Sequence, residues 1–219
     1  MMNLFEAIRT GDPAAVAALV QADPQLANAR NEQGVSALAF AVYNRKPEVV
    51  AKLRELGAQL DIFTACMTGH TATVEEMLQG NKGLVKLMSA DGWTPLHLAA
   101  FYGQAGCTAA LLKGGADVST RSTNAMQNLP LHAGAAGRNF DVMKLLVDFG
   151  SNVNARQHGG WTALHAASQN GDISIAELLL INGADPKARA ENNQGPMDLA
   201  LTRGQQAIVD LLEKHGVAL

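Results

Sequence analysis

A short sequence pattern recurs seven times along the chain, and this self-similarity constrains the fold more than any other feature. Clear copies begin at Gly92 (GWTPLHLAA), Asn128 (NLPLHAG) and Gly160 (GWTALHAA), and weaker copies begin at Gly34 and Gly195. The positions equivalent to the histidine are separated by 34, 24, 34, 35, 33 and 33 residues. These marker positions are Phe5, Ala39, Phe63, His97, His132, His165 and Asp198.

Each repeat unit encodes two short helices with an apolar face. Thr94 is suited to cap a helix whose first turn contains Pro95, and glycines such as Gly171 can end that helix and reverse the chain. A second, leucine-rich segment follows, as at residues 178–180. One such helix pair cannot bury its apolar face alone, so the units are expected to stack on one another.

The combination of the period, the Thr-Pro-Leu-His starts and the leucine-rich segment running into Gly-Ala-Asp at residues 183–185 resembles the ankyrin repeat family, across essentially the whole chain. The resemblance implies an all-α solenoid of seven helix pairs with short β-hairpin loops, built as a single domain over residues 1–219. The expected units are 1–30, 31–60, 61–88, 89–121, 122–156, 157–189 and 190–219.

Three departures from the pattern predict local irregularities. The 24-residue interval before Phe63 predicts that the hairpin between units 2 and 3 is missing. The loop at residues 121–127 is longer than its equivalents, so this hairpin is expected to project further. In unit 5, Leu129 replaces the capping threonine and Arg138 replaces the turn glycine, which predicts a less regular unit.

Composition and charge exclude several classes of protein. The formal net charge is −3, so no broad positive field is present to bind nucleic acid. No run of about 18 apolar residues and no basic leader are found, so we expect no membrane span and no secretory signal. Cys66 and Cys107 lie in apolar helical contexts and are expected to be buried thiols of a cytoplasmic protein. Polar residues at both ends of the array predict a monomer.

No catalytic or metal-binding constellation stands out. Neighbouring packed helices lie about 10 Å apart, too far for His97, His132 and His165 to share a metal ion. The resemblance implies instead that each histidine bonds the capping threonine and neighbouring backbone. His158-Gly159-Gly160 is similar to an oxyanion loop of lipases, but the G-x-S-x-G nucleophile motif is missing. We therefore expect no enzyme activity, no cofactor and no metal.

The remaining candidate function is binding of another protein on the concave face formed by the hairpin tips and first helices. Both tryptophans and both tyrosines fall at tip or outward first-helix positions, although tryptophan at a tip can instead pack locally on its own hairpin. The candidate protein-binding residues are Tyr43, Met67, Trp93, Phe101, Tyr102, Arg121, Met126, Arg156, Trp161, Gln169 and Arg189.

Arginines recur at the rising edge of four hairpins, as Arg30, Arg121, Arg156 and Arg189. Since none is followed by the aspartate that the family often has there, these arginines are expected to lack a neighbouring partner and to contact acidic groups of a ligand. A solvated consensus role is the alternative. A second candidate function is small-molecule or peptide binding in the notch at the shortened junction of units 2 and 3.

Overall fold

The computed structural model describes residues 2–217, which form seven successive pairs of short α-helices. Short 3-10 helices at Pro24–Asn28, Lys82–Lys86 and His158–Gly160 lie in the connections between pairs. The α-helices are α1 (Leu4–Thr10), α2 (Pro13–Ala22), α3 (Ala37–Tyr43), α4 (Pro47–Glu55), α5 (Ile62–Thr68), α6 (Thr71–Gly80), α7 (Pro95–Phe101), α8 (Ala105–Lys113), α9 (Pro130–Gly137), α10 (Phe140–Asp148), α11 (Ala163–Asn170), α12 (Ile173–Ile181), α13 (Pro196–Thr202) and α14 (Gln206–Lys214).

The helices are arranged in two rows. Each odd-numbered helix packs on the next odd-numbered helix, from α1 to α13, and the even-numbered helices form a second row behind them. The main contacts of each helix are therefore with the other helix of its pair and with the neighbouring pairs, which is the arrangement of a solenoid. The expected all-α solenoid of stacked helix pairs is confirmed.

The loops between pairs are tight, hairpin-like turns. Within residues 2–217 no β-strand forms, and the one isolated bridge joins Arg30 and Ser36. Backbone hydrogen bonds close each tip, as from the Ser89 amide to the Trp93 carbonyl at 2.8 Å and from the Gly92 amide to the Ser89 carbonyl at 2.9 Å. The turns are too short to extend into a ladder.

The connection between units 2 and 3 differs from the others. α4 ends at Glu55 and α5 begins at Ile62, so residues 56–61 connect them directly, whereas residues 23–36 connect α2 to α3. The buried apolar side chains also divide near this place: one cluster centres on units 1 and 2, and a larger one extends over units 3 to 7. The row of tips is thus interrupted where the two clusters meet.

Unit 5 accommodates its two unusual residues with local substitutes. Arg138 adopts a left-handed conformation with φ of 59°, in the place where unit 2 has Arg45 (φ of 53°) and the other units have glycine. Its guanidinium donates to both carboxylate oxygens of Asp172 on the next unit, with Nε–Oδ1 and Nε–Oδ2 distances of 3.0 and 3.1 Å. Leu129 offers no hydroxyl to cap α9, but its amide donates to Nδ1 of His132.

Both cysteines lie in the core, as expected. Cys66 and Cys107 are fully buried, and burial raises the pKa of each thiol. No helix within the described residues is both long and apolar enough to cross a membrane.

Candidate functional site

The three marker histidines tie each first helix to the following tip. The Thr94 hydroxyl lies 2.7 Å from Nδ1 of His97, and the Thr94 amide donates to the same nitrogen at 3.3 Å. Because Nδ1 is the acceptor, Nε2 carries the proton and donates to the Asn128 carbonyl at 3.0 Å. His132 and His165 repeat the arrangement, with carbonyl acceptors at Ala155 and Gln194.

These histidines are structural side chains. They stay neutral, since burial lowers the pKa of His97 and of His132 to about 4 and also lowers the pKa of His165. Across residues 2–217, no three side chains of the metal-binding types come together as a metal site would require. The hydrogen bonds of the imidazoles therefore hold the tips in place.

Three aromatic side chains of unit 4 form a continuous group. The ring of Trp93 meets the ring of Phe101 edge-on at a centroid distance of 5.3 Å, and Phe101 meets Tyr102 in the same way at 5.5 Å. Phe101 is 40% exposed, whereas Trp93 and Tyr102 are half-buried and pack partly on the core. The core thus holds Trp93 and Tyr102 in place, and Phe101 between them is exposed to solvent.

Tyr43 of unit 2 reaches this group across the shortened unit 3. Its hydroxyl lies 3.4 Å from each carboxylate oxygen of Asp91, which the Ser89 hydroxyl also contacts. Burial and the nearby Asp91 carboxylate raise the pKa of Tyr43, and the same two causes raise the pKa of Tyr102. We call Tyr43, Trp93, Phe101 and Tyr102 the aromatic patch.

Met67 does not belong to the surface, contrary to the expectation from its position in the repeat. It is only 2% exposed and lies in the same buried cluster on which Tyr43 and Tyr102 pack. The physical reason is that its flexible, apolar thioether side chain gains free energy by packing in this cluster. Met67 is therefore removed from the candidate site.

The hairpin arginines are already engaged, so the expectation that they lack partners is wrong. Arg121 donates to its own tip at the Gln127 carbonyl (2.7 Å) and to the Arg156 carbonyl of the next unit (3.0 Å). Arg156 donates in turn to the Arg189 carbonyl at 2.9 Å, and Arg189 pairs with Asp198. We call Arg121, Arg156 and Arg189 the arginine ladder. Sequence reasoning missed these acceptors because most of them are backbone carbonyls.

The other candidate residues lie at separate positions along the row of tips. Met126 is 48% exposed at the tip of the long loop, and its carbonyl accepts from the His158 amide at 2.9 Å. Trp161 is half-buried and lies against the ring of His165 with centroids 5.6 Å apart. Gln169 is half-buried on α11. These three residues do not join the aromatic patch.

A cleft of about 240 Å³ opens where the row of tips is interrupted. One wall comes from the tip of unit 2 and the other from the turn that precedes α7, with Tyr43 between them. The 24-residue interval predicts a notch here, near Tyr43 and Met67; Tyr43 lines the cleft, whereas Met67 does not. The lining residues are Arg30, Gln33, Gly34, Val35, Ser36, Ala39, Tyr43, Asp61, Phe63, Met88, Ser89 and Ala90.

Comparison with known protein families agrees with this architecture. A family model described as ankyrin repeats (3 copies) matches residues 60–122, and a second, described as ankyrin repeats (many copies), matches residues 131–180. Together the two matches extend over about half of the chain and include the aromatic patch residues of unit 4 as well as the first two arginines of the ladder.

Curated relatives resemble most of the chain at modest identity. A putative ankyrin repeat protein of fowlpox virus is 29% identical over 76% of this chain, and a subunit of target of rapamycin complex 2 from Saccharomyces cerevisiae is 27% identical over 76%. An E3 ubiquitin-protein ligase of Arabidopsis thaliana is 30% identical over 77%. The matches extend over 39%, 42% and 33% of these relatives' own lengths, so this chain corresponds to less than half of each.

Proposed function

This chain belongs to the ankyrin repeat family, and from that premise we propose that it is a non-catalytic scaffold that binds a partner protein on the face formed by its tips and first helices. Ankyrin repeats are generally modules of protein–protein interaction, and stacked repeats present an extended concave surface. The fold serves to hold that surface in a fixed shape.

The aromatic patch is the observation that carries this proposal. Large aromatic side chains contribute much of the binding energy at protein interfaces. Here they are already ordered by contact with one another and with the core, since the Trp93–Phe101 and Phe101–Tyr102 rings meet edge-on. Their ordering before binding lowers the entropy lost on association. We propose that the partner packs on this patch.

The arginine ladder supports a second part of the same proposal. Arg189 remains half exposed even while it is paired with Asp198. Guanidinium groups carry five donors each, so the ladder keeps donors for acidic groups on the partner. Met126, Trp161 and Gln169 extend the proposed surface along the same row of tips. We further propose that the chain acts as a cytoplasmic monomer.

Capture from a native lysate tests the proposal. The bait proteins are the wild type, the double variant Trp93→Ala/Tyr102→Ala, and a control double variant Phe149→Ala/Ile181→Ala, which removes exposed side chains from the second-helix row. We expect a protein that the wild type and the control retain and the patch variant loses. Equal capture by all three baits would contradict the proposal.

A second candidate function is binding of a small molecule or peptide in the cleft at the junction of units 2 and 3. The observation that favours it is the combination of apolar side chains, such as Phe63 and Met88, with the paired charges of Arg30 and Asp61 in one concave site. A fragment screen observed by amide chemical shifts would locate such a ligand. Shifts confined to residues elsewhere would count against this candidate.

A further inference from the structure

Successive tips are joined by two repeating hydrogen bonds, and the first lies between backbones. An amide of each later tip donates to a carbonyl of the tip before it: Thr123 to Gly92, His158 to Met126 and Glu191 to Gly159, each at 2.9 Å. The donor is in each case the second residue after the hairpin arginine. A regular pairing therefore holds the tips of units 4 to 7 side by side.

The second repeating bond comes from the arginine ladder. The guanidinium of Arg121 donates to the Arg156 carbonyl, and that of Arg156 donates to the Arg189 carbonyl. Each arginine thus reaches the carbonyl at its own equivalent position in the next unit. A tip in the middle of the row, such as that of unit 6, therefore accepts a hydrogen bond from the guanidinium of the preceding unit. It also donates one from its own amide to the preceding tip.

The tip of unit 4 makes neither the amide–carbonyl bond nor the guanidinium–carbonyl bond with a preceding tip, because unit 3 has no tip. Met88 stands at the arginine position of this unit, and Ala90 is the second residue after it. Within residues 2–217 nothing donates to the Met88 carbonyl, and the Ala90 amide donates to no acceptor. Ala90 is exposed, and both residues line the cleft.

The opposite wall of the cleft also lacks a hydrogen bond to a neighbouring tip. Arg30 donates to its own tip at the Gly34 carbonyl (2.8 Å), as Arg121 does in its unit. Arg121 also donates to a carbonyl of the next tip, but Arg30 has no such tip beside it. The second terminal nitrogen of Arg30 lies 3.2 Å from a carboxylate oxygen of Asp61 instead. The cleft is therefore bounded by the groups that would bond a hairpin if unit 3 had one.

Charge at the rim indicates what such an occupant would carry. The carboxylate of Asp91 has two hydroxyl neighbours, Tyr43 and Ser89, and no cation within ion-pair distance among the described residues. Asp61 lines the cleft and is paired with Arg30, whereas Asp91 follows the lining residue Ala90 and adds a second carboxylate beside the cleft. An incoming guanidinium could contact Asp91 and donate to the Met88 carbonyl, as ladder arginines do.

We propose that this cleft binds an arginine-containing turn of a partner protein, which takes the place of the missing hairpin of unit 3. The partner's turn accepts from the Ala90 amide and from Arg30, and its arginine side chain reaches the Met88 carbonyl beside Asp91. Val35, Phe63 and Met88 supply apolar contact beneath the turn. The inference rests on the proposed function, because it names a segment of the bound partner.

A cyclic peptide copied from this chain's own unit 6 hairpin, residues 155–161, is the probe for this inference. It contains Arg156 and forms the type of turn that the other tips already pair with. The control peptide carries alanine in place of that arginine. Binding is followed by amide chemical shifts of the isotope-labelled wild type, of Asp91→Asn and of the control variant Asp141→Asn, whose carboxylate is exposed on α10.

The expected result is a saturable shift of the Ala90 and Gly34 amides, with about tenfold weaker binding for the alanine peptide and for Asp91→Asn, and unchanged binding for Asp141→Asn. An unmoved Ala90 amide at saturating peptide, or equal affinity of the two peptides, would overturn the inference. A concentration-dependent Ala90 shift without peptide would also overturn it, since the occupant would be a second copy of this chain.

The two proposals fail separately in these experiments. If the peptide does not bind while the Trp93→Ala/Tyr102→Ala variant still loses its captured protein, the cleft inference is wrong and the scaffold function stands. If the peptide binds while capture is the same for all baits, the proposal that a partner packs on the aromatic patch is wrong, and the cleft remains a binding site.

Discussion

Gly137 on α9 lies directly against the backbone of Phe101 on α7. A β-carbon built on Gly137 would fall 2.3 Å from the Phe101 carbonyl oxygen and 2.8 Å from that of Ala100. Both distances are well below van der Waals contact, and both neighbours are backbone atoms that cannot rotate away. The lack of a side chain at Gly137 therefore sets how closely units 4 and 5 approach beside the aromatic patch.

The first prediction follows from this contact. Gly137→Ala should lower the free energy of unfolding by about 2–3 kcal/mol, because α7 and α9 must separate to admit the methyl group. Urea denaturation measures the change. The control is Gly80→Ala at the end of α6, where a β-carbon meets no atom within 4 Å, so stability should stay the same or rise slightly. Equal effects of the two changes would contradict the interpretation.

The second prediction concerns the threonine–histidine pair of unit 4. Thr94→Val keeps the shape of the buried side chain but removes the hydroxyl that lies 2.7 Å from Nδ1 of His97. The free energy of unfolding should fall by about 1–2 kcal/mol, since the amide of His97 also loses its acceptor. Thr123→Val is the control, because that side chain is exposed. A fully stable Thr94→Val protein would show that the pair contributes nothing.

The third prediction is a loss of stability in mild acid. In the folded chain His97 and His132 have pKa values of about 4, below the ordinary value of 6.5, so they stay neutral while the unfolded chain takes up protons. Their contribution is complete above pH 6.5 and is lost as the pH falls towards 4. The slope is at most about 1.4 kcal/mol per pH unit for each histidine.

Urea midpoints at pH 7, 6 and 5 measure this dependence. His165, whose pKa burial also lowers, adds to the slope in the same direction. The variant His97→Gln should show a shallower dependence than the wild type because one titrating group is removed. A wild-type stability that stays constant from pH 7 to pH 5 would show that the imidazoles titrate alike in the folded and unfolded chain.

The sequence predicted those features that depend on residues within one repeat unit. The period located the helix pairs, and the resemblance to ankyrin repeats implied the contact between the Thr94 hydroxyl and His97. The short interval before Phe63 marked the place where α4 runs directly into α5. These features need no knowledge of the neighbouring unit.

The features that the sequence did not predict arise between units. Arg121 and Arg156 donate to backbone carbonyls of the following unit. Because every residue has a backbone carbonyl, the residue type does not show which one accepts a hydrogen bond. Met67 occupies an outward position of the repeat, yet it is buried in the apolar cluster on which Tyr43 and Tyr102 pack. Contacts of this kind depend on how two units sit together, which periodicity alone does not fix.

The central claim is that a partner protein packs on the aromatic patch, and the affinity of the captured protein for Phe101→Ala tests it most directly. Isothermal titration compares the wild type, Phe101→Ala and the control Phe149→Ala, two phenylalanines of similar exposure at 40% and 46% in different helix rows. We predict a loss of about 1–3 kcal/mol of binding free energy for Phe101→Ala and no change for Phe149→Ala. Wild-type affinity in Phe101→Ala, or an equal loss in both variants, would contradict the account.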